Sequence, residues 1–378
     1  MLPFAFLFGA GCQTIQFQQP SISFSQDWLV DSGDLSRSRS YDEDLQAPLT
    51  LQWEYNAAAA FGQGSPLILK GVVLVANKKG EMHAIELKTG AKRGIKSFGE
   101  GIEGSPIIHE GKLIVASAWG KRTLTSFDLK KGSFVWRNKG VPIESGMVLV
   151  DGVLVAADVD GFITGYDPST GKMSWTHSLG KGVSVQSALL QVGDSSVFVA
   201  DDAGNAFLFN ASDGRQLWTQ KLSGPSYEGG STFGDRIIVP TTRGALDVLD
   251  AATGKVLWRN ELSNANVRMG SSAVDNELVV VAATDGIVRA FNSTDGSTVW
   301  ESAFPDAIIG APLITNHLVF VGSMGRHLYA LDRLTGEVKW ETALRGRIKS
   351  AMAVADGGLI VLSEPRYVTY FKEESNDN

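Results

Sequence analysis

Short apolar, β-branched runs alternate with glycine-rich and polar turns from residue 49 to residue 371, and the whole arrangement recurs with a period near forty residues. The first copy reads Ser65-Pro-Leu-Ile-Leu69, a turn at Lys70-Gly71, Val72-Val-Leu-Val75, a turn over Asn77-Lys-Lys-Gly80, Met82-His-Ala-Ile-Glu86, a turn at Thr89-Gly90, and a last stretch through Ile95. Nothing in it shows the 3.6-residue spacing of a helix. Four short strands separated by tight turns predict a four-stranded antiparallel meander.

The third turn is the most regular feature. An acidic or amide residue is followed four positions later by glycine and, in six of seven copies, by tryptophan four further on: Asp128 to Gly132 and Trp136, Asp167 to Gly171 and Trp175, Asn210 to Gly214 and Trp218, Asp250 to Gly254 and Trp258, Asn292 to Gly296 and Trp300, Asp332 to Gly336 and Trp340. The first copy, Glu86 to Gly90, has Gly94 at the tryptophan position. An Asp or Asn side chain can accept hydrogen bonds from N–H groups just downstream, and glycine supplies the positive φ of a bulged hairpin. The tryptophans then stand on outer strands, where burial of an indole against the next unit removes about 150–250 Å² from water. They are expected to form the seam between units and to bind no ligand.

Inner strands begin near Ser65, Ser105, Gly146, Ser187, Gly230, Ser271, Ala311 and Ala351, which makes eight units for seven turns. The eighth unit lacks an outer strand, and Leu49-Thr-Leu-Gln-Trp53-Glu-Tyr55 is an outer strand without a unit. Pairing the two closes a ring and leaves no open sheet edge. The expected fold is all-β: an eight-bladed β-propeller over residues 49–372, made of four-stranded antiparallel blades, the last closed by the N-terminal strand and with Trp53 as a member of the seam.

Composition adds limits. A formal charge of -7 and a pI near 5.4 argue against nucleic acid, whose phosphates demand a basic surface. The only cysteine is Cys12, which rules out an internal disulfide and a cysteine-built zinc site. It follows an apolar run, Leu2 to Phe8, and the small residues Gly9-Ala10-Gly11. That arrangement resembles the lipobox of bacterial lipoproteins, with Cys12 as the lipidated residue, although Gly9 stands where leucine is usual and no basic residue precedes the run. Residues 1–12 are thus read as a lipoprotein-type signal, 13–48 as a polar tether whose Asp27–Ser38 stretch packs on the domain, and 373–378 as a disordered tail.

The turn motif resembles that of the pyrroloquinoline-quinone-type (PQQ-like) propeller family, Asp-x-x-Thr-Gly-x-x-x-Trp. The family spans quinone-dependent alcohol dehydrogenases and the outer-membrane assembly lipoprotein BamB. A dehydrogenase would need calcium held by carboxylates and amides, an aspartate base and usually a vicinal disulfide. The single cysteine forbids the last, and Asp158-Val-Asp160-Gly161 lacks the later ligands of a calcium loop and reads as a tight turn. In layout the chain is similar to BamB, with Gln13 after Cys12. This resemblance implies a non-enzymatic lipoprotein with no bound cofactor or metal, anchored in the outer membrane, facing the periplasm and docking on a BamA-like protein partner. The alternative is a PQQ- or metal-dependent periplasmic oxidoreductase working at the central funnel.

Candidate functional residues are those the repeat does not absorb. Aligning the units places Gln63, Glu103, Glu144, Val185, Glu228 or Tyr227, Met269, Ile309 and Lys349 around the funnel mouth, with Arg268 and Arg347 nearby. The readings are a site for a polar ligand, metal or peptide, or a water-filled funnel with solvated charges. Two loops depart from the repeat: Ser117 to Arg122, carrying Trp119, and Ser223 to Gly230, carrying Tyr227. Trp119, Arg122 and Tyr227 are candidate partner contacts, because Trp, Tyr and Arg most often carry interface energy. His83, His109, His177, His317 and His327 show no metal-ligand spacing, and no serine elbow or phosphate loop is present.

Overall fold

The computed structural model describes Ile15 and residues 27–373. Eight antiparallel sheets follow one another along the chain. In blade 1 the strands are Leu67–Leu69, Val72–Ala76, Glu81–Glu86 and Lys92–Ser97, each paired with the next. Blade 8 has Ala353–Ala355, Gly358–Glu364 and Tyr367–Glu373, and its fourth strand is Leu49–Asn56. The register runs from Leu49 opposite Glu373 to Asn56 opposite Tyr367, so the ring closes with the two ends of the domain in one sheet. A short extra strand, Arg347–Ile348, also pairs with Gly358–Glu364.

Valine, isoleucine and leucine fill the spaces between sheets. Blades 5 and 6, for example, share Ile238, Leu246 and Val248 with Val274, Val279, Val281 and Phe291. Second strands such as Leu278–Ala283 are buried throughout, because both faces meet a neighbouring blade.

The motif turn forms as its residue types require. In blade 3 the Gly171 N–H donates to the Asp167 carbonyl at 2.8 Å, and Asp167 Oδ1 accepts the Ser169 N–H and hydroxyl at 2.8 and 2.6 Å. These bonds, the Ser169 hydroxyl first, hold the Asp167 carboxyl at about 2. A bulge precedes the turn at Gly165/Tyr166. Six of the seven motif glycines also lie under the tryptophan of the preceding blade, Gly132 being the exception: a Cβ on Gly254 (φ +73) would come 2.7 Å from the Trp218 ring, and one on Gly90 equally near Trp53. The indole N–H completes the seam by donating to the carbonyl after the motif's first residue, Trp53 to Leu87 at 2.7 Å, Trp175 to Ala211 at 2.8 Å, Trp218 to Ala251 at 3.0 Å. Trp136, Trp258 and Trp300 do the same with Pro168, Ser293 and Arg333.

Two seams differ. Trp340 faces blade 8, which has no motif turn, and packs edge-on against Phe371 at 5.8 Å. Between blades 1 and 2, where Gly94 replaces tryptophan, Phe98, Phe127 and Phe134 meet edge-to-face at 5.4–6.0 Å.

Candidate functional site

Of the segment expected to tether the domain, residues 27–48 lie on the propeller, and part of them crosses its axis. Trp28 pairs with Ile68 of blade 1, and the Leu29 carbonyl accepts the Ile108 N–H of blade 2. The carbonyls of Leu35, Ser36, Ser38 and Arg39 then accept N–H groups of Gln191, Thr232, Val274 and Ile314, which belong to blades 4 to 7. One aperiodic stretch therefore bonds to inner strands of six blades. The funnel is not an open, water-filled one: beneath the mouth the chain itself occupies it.

Charges line this segment. Arg37 Nη2 meets Asp31 Oδ2 at 2.7 Å, both side chains largely buried, and Arg39, 2% exposed, donates from Nη1 to the Ser272 carbonyl at 2.6 Å. Burial alone would raise the Asp31 carboxyl. The neighbouring Arg37 and Arg39, with bonds from the Ser65 N–H and Ser105 hydroxyl, bring it below the usual 3.8. Burial first, and the like charge of Arg37 second, push Arg39 down to about 10. Arg37 and Arg39 both hold positive φ (53° each), a conformation that only dense surrounding contacts maintain in such residues. Trp28 stacks on Tyr41 at 4.7 Å and sits over Gly33, which closes the segment on itself.

Gln63, Glu103 and Glu144 of the expected mouth set are each hydrogen-bonded to a neighbouring blade. The Gln63 N–H donates to the Glu103 carbonyl at 3.0 Å, the Gln63 carbonyl accepts the Ala351 N–H, and Gln186 reaches Glu144 at 3.5 Å. Most charges of that set are paired, whereas Glu144 meets no cation at ion-pair distance among the described residues. Glu103 faces Lys78 at 2.9 Å, Lys349 and Arg347 share Glu364 at 2.9 and 3.2 Å, and Glu228 lies 3.8 Å from Arg268. Burial raises the Glu228 carboxyl, opposed by Arg268, Arg37 and Arg39. Lys78 and Glu364 were missed in the sequence because one sits in a turn and the other ends a strand, where a charge ordinarily means solvent.

The two irregular loops are placed apart. Trp119 is 45% exposed and lies over Gly101, where a Cβ would come 1.8 Å from its ring. Arg122 follows on the exposed start of a strand, its N–H held by Glu100. Tyr227 is half-buried in the 223–230 loop. That loop is anchored by a group without any sequence signal: Asp247, fully buried, accepts from the Ser223 N–H and hydroxyl at 2.7 and 2.6 Å and from Arg259 Nε at 2.5 Å. Asp158 Oδ1 accepts the Asp160 and Phe162 N–H groups, as a tight turn requires. His83 is buried against the closing strand, with Nδ1 3.0 Å from the Tyr55 hydroxyl. Among the described residues no three His, Cys, Asp or Glu side chains converge to hold a metal ion, and no helix is long and apolar enough to cross a membrane. Cys12 lies outside the described residues.

Proteins similar to this chain include BamB proteins and quinoprotein dehydrogenases. A BamB of Legionella pneumophila is 27% identical over 197 residues, 49% of this chain and 50% of that protein. A quinohemoprotein alcohol dehydrogenase of Comamonas testosteroni is 26% identical over 152 residues, 34% of this chain and 21% of that one. The chain spans about half or less of the length of these curated relatives. Among solved structures, BamB of Moraxella catarrhalis superposes with a TM-score of 0.71 at 17% identity, covering 86% of this chain and all of that one. The Comamonas testosteroni dehydrogenase does so with 0.74 at 15%, covering 92% and 81%. At such identities the superpositions show the fold alone. The profile of one family, described as outer membrane protein assembly factor BamB, matches residues 45–197, 159–229, 202–309 and 284–375, and the chain belongs to that family of PQQ-like propellers.

Proposed function

We propose that the protein is a non-enzymatic scaffold of the bacterial cell envelope, held at the outer membrane through lipid on Cys12 and facing the periplasm, that offers its propeller surface to a protein partner during assembly of outer-membrane β-barrel proteins. The family match and the BamB relatives support the broad reading. The observation that carries it is the state of the axis. An oxidoreductase at the central funnel needs free ligands for calcium and quinone, and a calcium ion takes six to eight oxygens. Here Glu103, Glu228 and Glu364 each face a cation, and Asp31 is engaged by Arg37 beneath them. That donor set is a poor fit to a calcium–quinone pair.

Affinity capture from envelope extract tests the scaffold. A BamA-like outer-membrane protein is expected in the eluate, and its absence would sink this reading. Palmitate labelling of the full chain, with Cys12→Ala as control, tests the anchor. Calorimetry with quinone and calcium tests the alternative: heat lost on replacing Glu103 and Glu144 by glutamine would establish the oxidoreductase instead.

A further inference from the structure

The seam between blades 1 and 2 collects cations. Lys96, on the last strand of blade 1, lies opposite Met82, so its side chain shares the face that Met82 and Ala84 turn toward blade 2. Arg137, on the last strand of blade 2, follows Trp136, which serves blade 3, and therefore turns the other way, toward blade 1. The two meet over one ring: Lys96 Nζ is 4.8 Å and the Arg137 guanidinium 3.3 Å from the centre of Phe134. Lys139 follows Arg137 by two positions and has Arg122 opposite it in the ladder, which adds two cations to the same face. Among the described residues none of the four has a carboxylate at ion-pair distance. Glu100, beside Arg122, gives its oxygens to the Lys121 and Arg122 N–H groups. An aromatic face orients a cation without neutralising it. Four uncompensated charges, in a chain of net charge -7, call for an anionic surface.

Two further features mark this seam. It is the one whose tryptophan is replaced by Gly94, and Ile15, 1% exposed, is packed in the hydrophobic cluster that its two blades share, with Met82, Phe98 and Phe127. Three residues of chain span at most about 11 Å, so a lipid on Cys12 is tethered to this side of the ring. Trp119 stands 45% exposed over Gly101, in the connection between the same two blades. Indoles exposed in this way settle at a membrane–water interface. An acidic protein would satisfy the charges equally, but a membrane also accounts for their gathering where the anchor segment is packed.

We propose that the ring edge at the blade 1–2 seam lies against the anionic phospholipid surface of the membrane, with Lys96, Arg122, Arg137 and Lys139 on its headgroups. The proposal rests on the lipid-anchor reading and adds an orientation to it. Blades 5 and 6, opposite in the ring, then stand farthest from the membrane, where a protein partner has room.

Vesicle co-sedimentation tests it, on the full chain carrying Cys12→Ser so that lipid on the protein plays no part. Vesicles of equimolar phosphatidylethanolamine and phosphatidylglycerol bind the chain at least about tenfold more strongly than phosphatidylcholine vesicles at low salt, and high salt removes the preference. The ratio cancels what the apolar Leu2–Phe8 run adds to both. Replacing Lys96, Arg122, Arg137 and Lys139 together by glutamine abolishes the preference, whereas Lys172→Gln/Lys255→Gln, on the motif turns of blades 3 and 5, leaves it intact. An environment-sensitive dye on Ser97→Cys shifts to the blue with the anionic vesicles, and one on Glu261→Cys, the equivalent position of blade 5, does not. No preference for anionic vesicles, or equal shifts at both dye positions, overturns the proposal. So does partner capture lost in the fourfold variant without any vesicle preference, which would give the patch to an acidic protein. Palmitate taken up at Cys12 by a chain indifferent to vesicle charge overturns the surface and leaves the anchor standing; charge-dependent binding by a chain that takes up none upholds the surface and sinks the anchor.

Discussion

Rim and axis of this propeller solve the same problem differently. At the rim, six of the eight seams are tied by copies of one device, an indole lying on the next blade's glycine and donating to its turn, as Trp218 does with Gly254 and Ala251. At the axis a single non-repeating stretch bonds to inner strands of six blades and carries a buried Arg37–Asp31 pair. Periodic contacts act between neighbours only, so damage to one stays local, whereas an axial defect is felt around the ring. The rim tolerates loss of a member, as the blade 1–2 seam with its three phenylalanines demonstrates. The axis has no second copy.

The sharpest way to break this contrast is Asp31→Ala, which strands Arg37 in the interior. A loss of about 4 kcal/mol is expected from denaturant unfolding; a loss below about 1 kcal/mol would reduce the axial segment to filler. Trp218→Ala comes next, at about 3 kcal/mol for the vacated seam. Because the two sites lie far apart, the double variant should match the summed losses to within about 0.5 kcal/mol. A smaller effect concerns pH at the closing seam. Burial, opposed by Glu81, holds the His83 pKa below 6.5, so below that pH the unfolded chain takes up the proton more readily than the folded one. Stability is then complete above 6.5 and declines as pH falls toward the folded value, and thermal midpoints at pH 7.5 and pH 5.5 should differ less in His83→Gln than in the parent. Least of all, Asp167→Ala lowers the midpoint by about 1 °C. Asp167→Asn leaves it unchanged, since Asn210 and Asn292 already hold the same turn through their amide oxygens.

What the sequence disclosed followed the same division. Blade number, closure by Leu49–Asn56 and the seam role of Trp53 were all legible, because turn chemistry and strand alternation repeat in phase. The axial segment was not. Asp31, Arg37 and Arg39 look like tether residues, since a charge signals solvent unless its partner is known, and here the partners lie across the ring. Asp247 was silent for the same reason: its role depends on Ser223 and Arg259, a non-local arrangement with no spacing rule. Glu103 and Lys349 were singled out by alignment, yet their charges are balanced by Lys78 and Glu364, which no alignment pairs with them.

The pairing of Leu49 with Glu373 also sets an order of events during synthesis. Blades 1 to 7 can each be finished as soon as their fourth strand leaves the ribosome. The last blade waits for a strand made before all of them. Through some three hundred residues of translation Trp53 and its neighbours stay unmated, an open β-edge that a chaperone or another nascent chain could claim, and the ring latches only when Tyr367–Glu373 emerges to meet them.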